Sequence, residues 1–195
     1  MKDYIELDKT FEKRDFSNDK TQLGEFENCT FIQCNFTSAN LNNSKFTDCK
    51  FVGCNLTIPQ IQKTWLSGVI FKDCKMLGFR FDLCNPLGLS FELENCNLNS
   101  SSFFGLNLKK TKYRGCDFTD ADFAGANLSQ STFEECNLNG AIFENTNLEG
   151  ADFKTSINYT IDPEKCRIYG AKFSISGIEG LLKKYNIFIS SAIKD

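Results

Sequence analysis

A large apolar residue returns at every fifth position: Phe26, Phe31, Phe36, Leu41, Phe46, Phe51 and Leu56, then Phe71, Met76 and Phe81. The series resumes at Leu93 and runs unbroken through Leu98, Phe103, Leu108, Tyr113, Phe118, Phe123, Leu128, Phe133, Leu138, Phe143 and Leu148 to Phe153. A helix repeats every 3.6 residues and a strand every 2, so neither holds such a series on one face. The chain must turn a corner at each repeat. Two residues before each large residue, here called the centre, stands a small partner such as Ala39, Ser44, Ala121, Ala126, Ser131, Ala141, Thr146 or Ala151, or a cysteine. With centre and partner pointing inward, the other three positions face water, and large and small side chains alternate to fill a narrow interior.

The cysteines measure the coil. Cys34, Cys54 and Cys74 are spaced by 20 residues, as are Cys96, Cys116 and Cys136, while the step from Cys74 to Cys96 is 22. Four repeats therefore make one turn, and a two-residue insertion lies between residues 74 and 96. All ten cysteines are expected at partner positions, as small buried hydrophobes rather than a metal cage, because stacked thiols form a line and zinc needs four converging sulfurs. The chain has no histidine, which removes imidazole bases and His-containing metal sites. No carboxylate pair, phosphate loop or nucleophile with a base stands out, so the expectation is a protein that is not an enzyme and takes no cofactor and no metal.

The blocks CNFTS, ANLNN, CNLTI, CDFTD, ADFAG, ANLSQ, CNLNG, TNLEG and ADFKT resemble the pentapeptide repeat family, over roughly residues 11–173. The resemblance implies an all-β fold, a right-handed quadrilateral parallel β-helix of about seven to eight coils, roughly 35–40 Å long at ~4.8 Å per coil. One domain is expected over 1–195: a worn first coil and cap over 1–25 (Tyr4, Ile5, Phe11, Phe16), coils over 26–173, and a helix with tail over 174–195. Two segments are expected to leave the square, 57–68 with Pro59 and the single Trp65, and 84–92 with Pro86, Gly88 and the insertion. At the C-terminus, Ser176 and Glu179 read as a capping box, Ile178, Leu181, Leu182 and Tyr185 as one helix face, and Ile187, Phe188 and Ile189 as a short strand.

Charge directs the functional expectation. Asp117, Asp120, Asp122, Glu134, Glu135, Glu144, Glu149 and Asp152 fall between Gly115 and Phe153, a stretch without one base. Lys109, Lys110, Lys112 and Arg114 stand just before it. An acidic surface disfavours direct nucleic-acid binding and favours a basic partner. Lys63 and Trp65 are candidate contacts to a protein, with packing of Trp65 on its own coil as the alternative. The short helix and apolar tail read either as a lid that only plugs the last coil or as one that also dimerises, for they resemble the end of the Qnr fluoroquinolone-resistance proteins. That resemblance implies a homodimer through Ile178, Leu181, Leu182, Tyr185, Ile187, Phe188 and Ile189, and a DNA-mimicking rod that binds DNA gyrase or topoisomerase IV. A scaffold presenting loops to an unrelated protein remains the alternative. The charged N-terminus and the absence of a run of ~18 apolar residues predict a cytoplasmic protein with no membrane span.

Overall fold

The computed structural model describes residues 5–17 and 24–190. Its strands are Ile5–Leu7 (β1), Thr10–Glu12 (β2), Glu25–Glu27 (β3), Thr30–Ile32 (β4), Lys45–Thr47 (β5), Lys50–Val52 (β6), Trp65–Ser67 (β7), Val69–Lys72 (β8), Phe91–Glu94 (β9), Lys112–Arg114 (β10) and Thr132–Glu134 (β11). They form two parallel sheets, ordered β1-β3-β5-β7 and β2-β4-β6-β8-β9-β10-β11. Phe31 pairs with Phe51 and Phe51 with Phe71, each 20 residues apart, whereas Phe71 pairs with Leu93, 22 apart. The turn of twenty residues and its single two-residue step are therefore structural facts. The seven strands of the longer sheet span about six turns. The column continues through Phe153 and Phe173, in coils whose backbones meet by isolated bridges such as Thr132–Asp152 and Asp152–Lys172.

The corners explain the period. The residue two places after a centre repeatedly adopts a left-handed backbone, for example Gln33 (φ 52), Ser38 (φ 55), Asn43 (φ 56) and Asp48 (φ 51). Left-handed geometry costs an L-residue about 1–2 kcal/mol, which favours glycine at many of these corners, and at some of them space fails as well. A Cβ on Gly115 (φ 59) would collide with the Asn95 amide oxygen one coil below. Where an Asn or Asp stands just before a centre, it commonly turns back to accept the N–H two residues on: Asn35 from Thr37 at 3.1 Å, Asp117 from Thr119 at 3.1 Å. These residues also ladder between coils, as in Asn137 Nδ2 to Asp117 Oδ1 at 3.1 Å.

Inside, the centres stack coil upon coil. Ring centroids lie 4.7 Å apart for Phe31–Phe51, 4.7 Å for Phe103–Phe123 and 4.8 Å for Phe133–Phe153. Each buried ring contributes about 1.5–3 kcal/mol before chain entropy is subtracted, and the contribution needs neighbouring coils. Partner side chains do a second task. Their thiols and hydroxyls donate to the carbonyl of a centre in the coil below: Cys54 to Phe31 at 3.3 Å, Cys74 to Phe51 at 3.3 Å, Thr146 to Phe123 at 2.8 Å, Ser156 to Phe133 at 2.7 Å. All ten cysteines are free thiols, nine buried and Cys166 half-buried.

Several expectations are corrected. Residues 57–68 do not leave the square: Ile61 and Leu66 are buried centres, Pro59 is buried at a partner position, and Asn40 bridges Gln60 in the regular register. Proline's fixed φ suits a partner position at a turn, although it forgoes the N–H that Ala39, one coil below, donates to the Phe36 carbonyl at 3.0 Å. In the first coil the centre opposite Phe26 is Glu6, ion-paired to Lys9, while Ile5 is exposed; Tyr4 lies outside the described residues. The C-terminal helix is broken into Ile175–Gly177 (3-10), Glu179–Leu182 (α1) and Lys183–Tyr185 (3-10). Ser174, not Ser176, accepts the capping N–H, from Gly177 at 3.1 Å. The tightening follows from close docking, since Gly177 and Gly180 press on Tyr159 and the Gly180 carbonyl accepts from Ile161 N–H at 3.1 Å. Ile187–Ile189 forms no strand.

Candidate interaction surfaces

The eight acids do not gather on one side. Asp117 and Asp152 precede centres, Glu134, Glu144 and Glu149 follow them, and Asp120 and Glu135 occupy left-handed corners, so the carboxylates are spread around the square. Three are ion-paired: Glu134 with Arg114 at 3.0 Å, Glu144 with Lys165 at 2.9 Å, and Asp152 with Lys154 at 3.4 Å and Lys172 at 3.7 Å. Asp117 and Asp122 are half-buried and turned into Asx turns with Thr119 and Ala124. Asp120, Glu135 and Glu149 project into solvent.

Lys63 sits exposed at a left-handed corner (φ 58), and Trp65 lies half-buried on β7 opposite Lys45. The tryptophan ring thus rests partly on its own coil. The candidate dimer residues divide in two. Leu181 packs on the core and Leu182 is half-buried, whereas Ile178 (48% exposed), Tyr185, Ile187, Phe188 (94%) and Ile189 face outward. Lys184 fastens the cap to the last coil through Asp162 at 2.6 Å, and this ammonium holds the Asp162 carboxyl below the usual carboxylate range. Tyr185 donates to Glu164 at 2.9 Å.

One surface is absent from the sequence expectations. A groove of about 890 Å³ opens where the insertion interrupts the stack, lined by Leu89 and Phe91 on one side and by Leu108 to Lys112 on the other. The basic cluster and the two-residue step were each visible in the sequence, but nothing in a linear pattern says that they meet across one gap.

Burial pushes the Cys49 and Cys84 thiols up to about 12, so they stay protonated near neutrality. No helix among the described residues is long and apolar enough to cross a membrane, and no group of three or more His, Cys, Asp or Glu among them could hold a metal ion.

Coils of twenty residues, four five-residue sides and buried stacked centres define a parallel β-solenoid of pentapeptide type. Profiles described as a pentapeptide repeat region and as pentapeptide repeats in eight copies match residues 24–103 and 116–154, together more than half of the chain. The chain belongs to the pentapeptide repeat family. Among solved structures, full-length QnrB1, described as a plasmid-mediated fluoroquinolone resistance protein, aligns with 15% identity and a TM-score of 0.50 over 94% of this chain and 100% of its own. HetL, described as a pentapeptide repeat protein involved in heterocyst differentiation regulation from the cyanobacterium Nostoc sp. strain PCC 7120, aligns with 12% identity and a TM-score of 0.38 over 89% and 85%. No curated protein matches the chain in sequence.

Proposed function

We propose that this chain is a non-catalytic protein-binding rod whose partner is a type II topoisomerase, DNA gyrase or topoisomerase IV, approached at its basic DNA-binding surface. The observation that carries this is the base-free stretch of eight acids on a rigid rod, with Asp120, Glu135 and Glu149 in solvent. Carboxylates held on a stiff backbone attract a surface shaped for phosphates, and they lose no conformational freedom of the main chain on binding. The fold likeness to QnrB1 along its whole length supports the same direction. A gyrase supercoiling assay with and without a quinolone tests it. Inhibition or protection, weakened by Asp120→Asn, Glu135→Gln and Glu149→Gln together, is expected; no binding, no inhibition and no protection would remove it.

A second reading, a scaffold for another protein, is favoured by one observation: the acids encircle the rod, and three already have cation partners. Under either reading the exposed Ile178, Tyr185, Ile187, Phe188 and Ile189 support a homodimer through the C-terminal end, since symmetric pairing covers an apolar patch. Light scattering on a chain ending at Ser174 is expected to give a monomer where the full chain gives a dimer. An unchanged dimer would move the interface elsewhere.

A further inference from the structure

The face that carries β7 lacks one rung. Below the gap, bridges connect Glu25 to Lys45 and Lys45 to Trp65; above it, they connect Asn107 to Asn127, Asn127 to Asn147 and Asn147 to Arg167. No bridge joins Trp65 to Asn107 through an intervening coil among the described residues. There the chain bows outward: Pro86, Leu87 and Gly88 are exposed, Leu87 at 68%. Leu89 turns back onto the core, and Ser90 rejoins the stack by donating its N–H to the Leu66 carbonyl at 2.9 Å.

The coil above therefore presents an open lower edge. Asn107 N–H and the Asn107 and Lys109 carbonyls make no backbone hydrogen bond among the described residues, although Leu108 and Lys110 donate upward to Asn127 and Ser129 at 2.8 and 2.9 Å. Pairing of β9 with β10 begins only at Leu93 with Tyr113, so Phe91 and Glu92 are unmatched by Thr111 and Lys112. An unpaired edge is a template for a further strand. The groove along it holds about 890 Å³, within the size range of ligand-binding clefts, and has an apolar floor of Leu89, Phe91 and Leu108.

Charge selects the occupant. Lys109, Lys110 and Lys112 are exposed along the upper lip and make no ion pair among the described residues. The other nearby charges are mostly neutralised, Arg114 by Glu134 and Glu94 by Lys72, both at 3.0 Å, which leaves Glu92 as the single acid facing three lysines. We propose that this slot is a peptide-docking site that takes an extended, acidic segment of a partner protein, added as the missing strand beneath Asn107–Lys109, the side of the coil that ends at the Lys110 corner. Alternate side chains of the segment enter the apolar floor, and its outward carboxylates meet the lysines. This surface shares Glu134, already paired with Arg114, with the acidic stretch but goes beyond the topoisomerase reading, because a basic DNA-binding surface has no use for the lysine-lined slot.

The test is fluorescence anisotropy of the full chain with a labelled peptide of about seven alternating Glu and Val residues, which adopt extended conformations. Lys110→Glu with Lys112→Glu is expected to weaken binding at least tenfold, and so is N-methylation of alternate peptide amides, which removes edge pairing and leaves charge intact. The bound peptide should slow amide exchange at Asn107–Lys109. No binding, equal binding of the N-methylated peptide, an unchanged affinity in the charge-reversed chain, or equal competition by single-stranded DNA would each overturn the proposal. The lysines are at the surface, so the variant's fold, checked by circular dichroism, should match the parent. Failure of the gyrase assay leaves this result untouched, and the converse also holds.

Discussion

The partner position carries more than volume. Where it is alanine, as at Ala126, the side chain only fills space; where it is Thr146, its hydroxyl also serves the Phe123 carbonyl at 2.8 Å. Thr146→Val keeps the shape and leaves that acceptor with the Ala126 N–H at 3.0 Å alone. A loss of about 0.5–1.5 kcal/mol in urea unfolding is expected; an unchanged midpoint would mean that the backbone bond already satisfies the carbonyl. The cysteines behave in the same way through weaker donors, with an added pH signature. Cys49 is raised from its ordinary 9.0 to about 12, first by burial. Below pH 9 the folded and unfolded chains both hold that proton and its contribution is intact. As pH rises from 9 toward 12 the unfolded chain loses the proton first, so stability should fall across that window. Urea midpoints at pH 7, 9 and 10.5 check the direction, and Cys49→Ala should flatten the slope.

At the scale of elements, periodicity predicted what it physically controls. Centres, partners and the turn of twenty residues were legible because each follows from which side chains point inward. The corner at residues 57–68 was misjudged because Pro59 and Trp65 look like loop residues in a list, whereas the coil tolerates a proline at a partner position and a ring at an outward one. The cap was only half legible. Its apolar spacing fits a helix, but the segment is tightened by Gly177 and Gly180 against Tyr159, a contact between residues about twenty apart. The slot was not legible at all, since hydrogen bonds that fail to form leave no mark in the sequence. Deleting Leu87 and Gly88 should return the step from Phe71 to Leu93 to 20 residues and supply the missing rung. Slower amide exchange at Asn107–Lys109, with stability changed by less than about 1 kcal/mol, is expected, because loop length costs little. Unchanged exchange would show that the outward bow depends on Pro86 rather than on length.

Across the whole molecule, stability is a sum over neighbouring coils, so a weak junction divides the rod. β-pairing at the insertion survives on three faces, through β8–β9 and the Lys75–Asn97 and Arg80–Ser102 bridges, and lapses on the face carrying β7, which makes this level the weakest junction among the described residues. The segments below and above the gap should therefore exchange their amides as two blocks with different opening free energies. A single common value for Phe31 and Phe133 would instead indicate one cooperative unit. The same division bears on the two proposed surfaces: the acidic half and the slot at the junction can be occupied independently if each half keeps its own rigidity.

Trp65 gives that division an optical handle. It is the sole tryptophan, half-buried on the last strand below the gap. Its emission therefore reports on one half of the rod without any introduced label, while the tyrosines, of which Tyr113 and Tyr159 lie above the gap, absorb for the other. A spectral shift of Trp65 that precedes or trails the tyrosine signal during denaturation would read out, in light alone, which half of the rod lets go first.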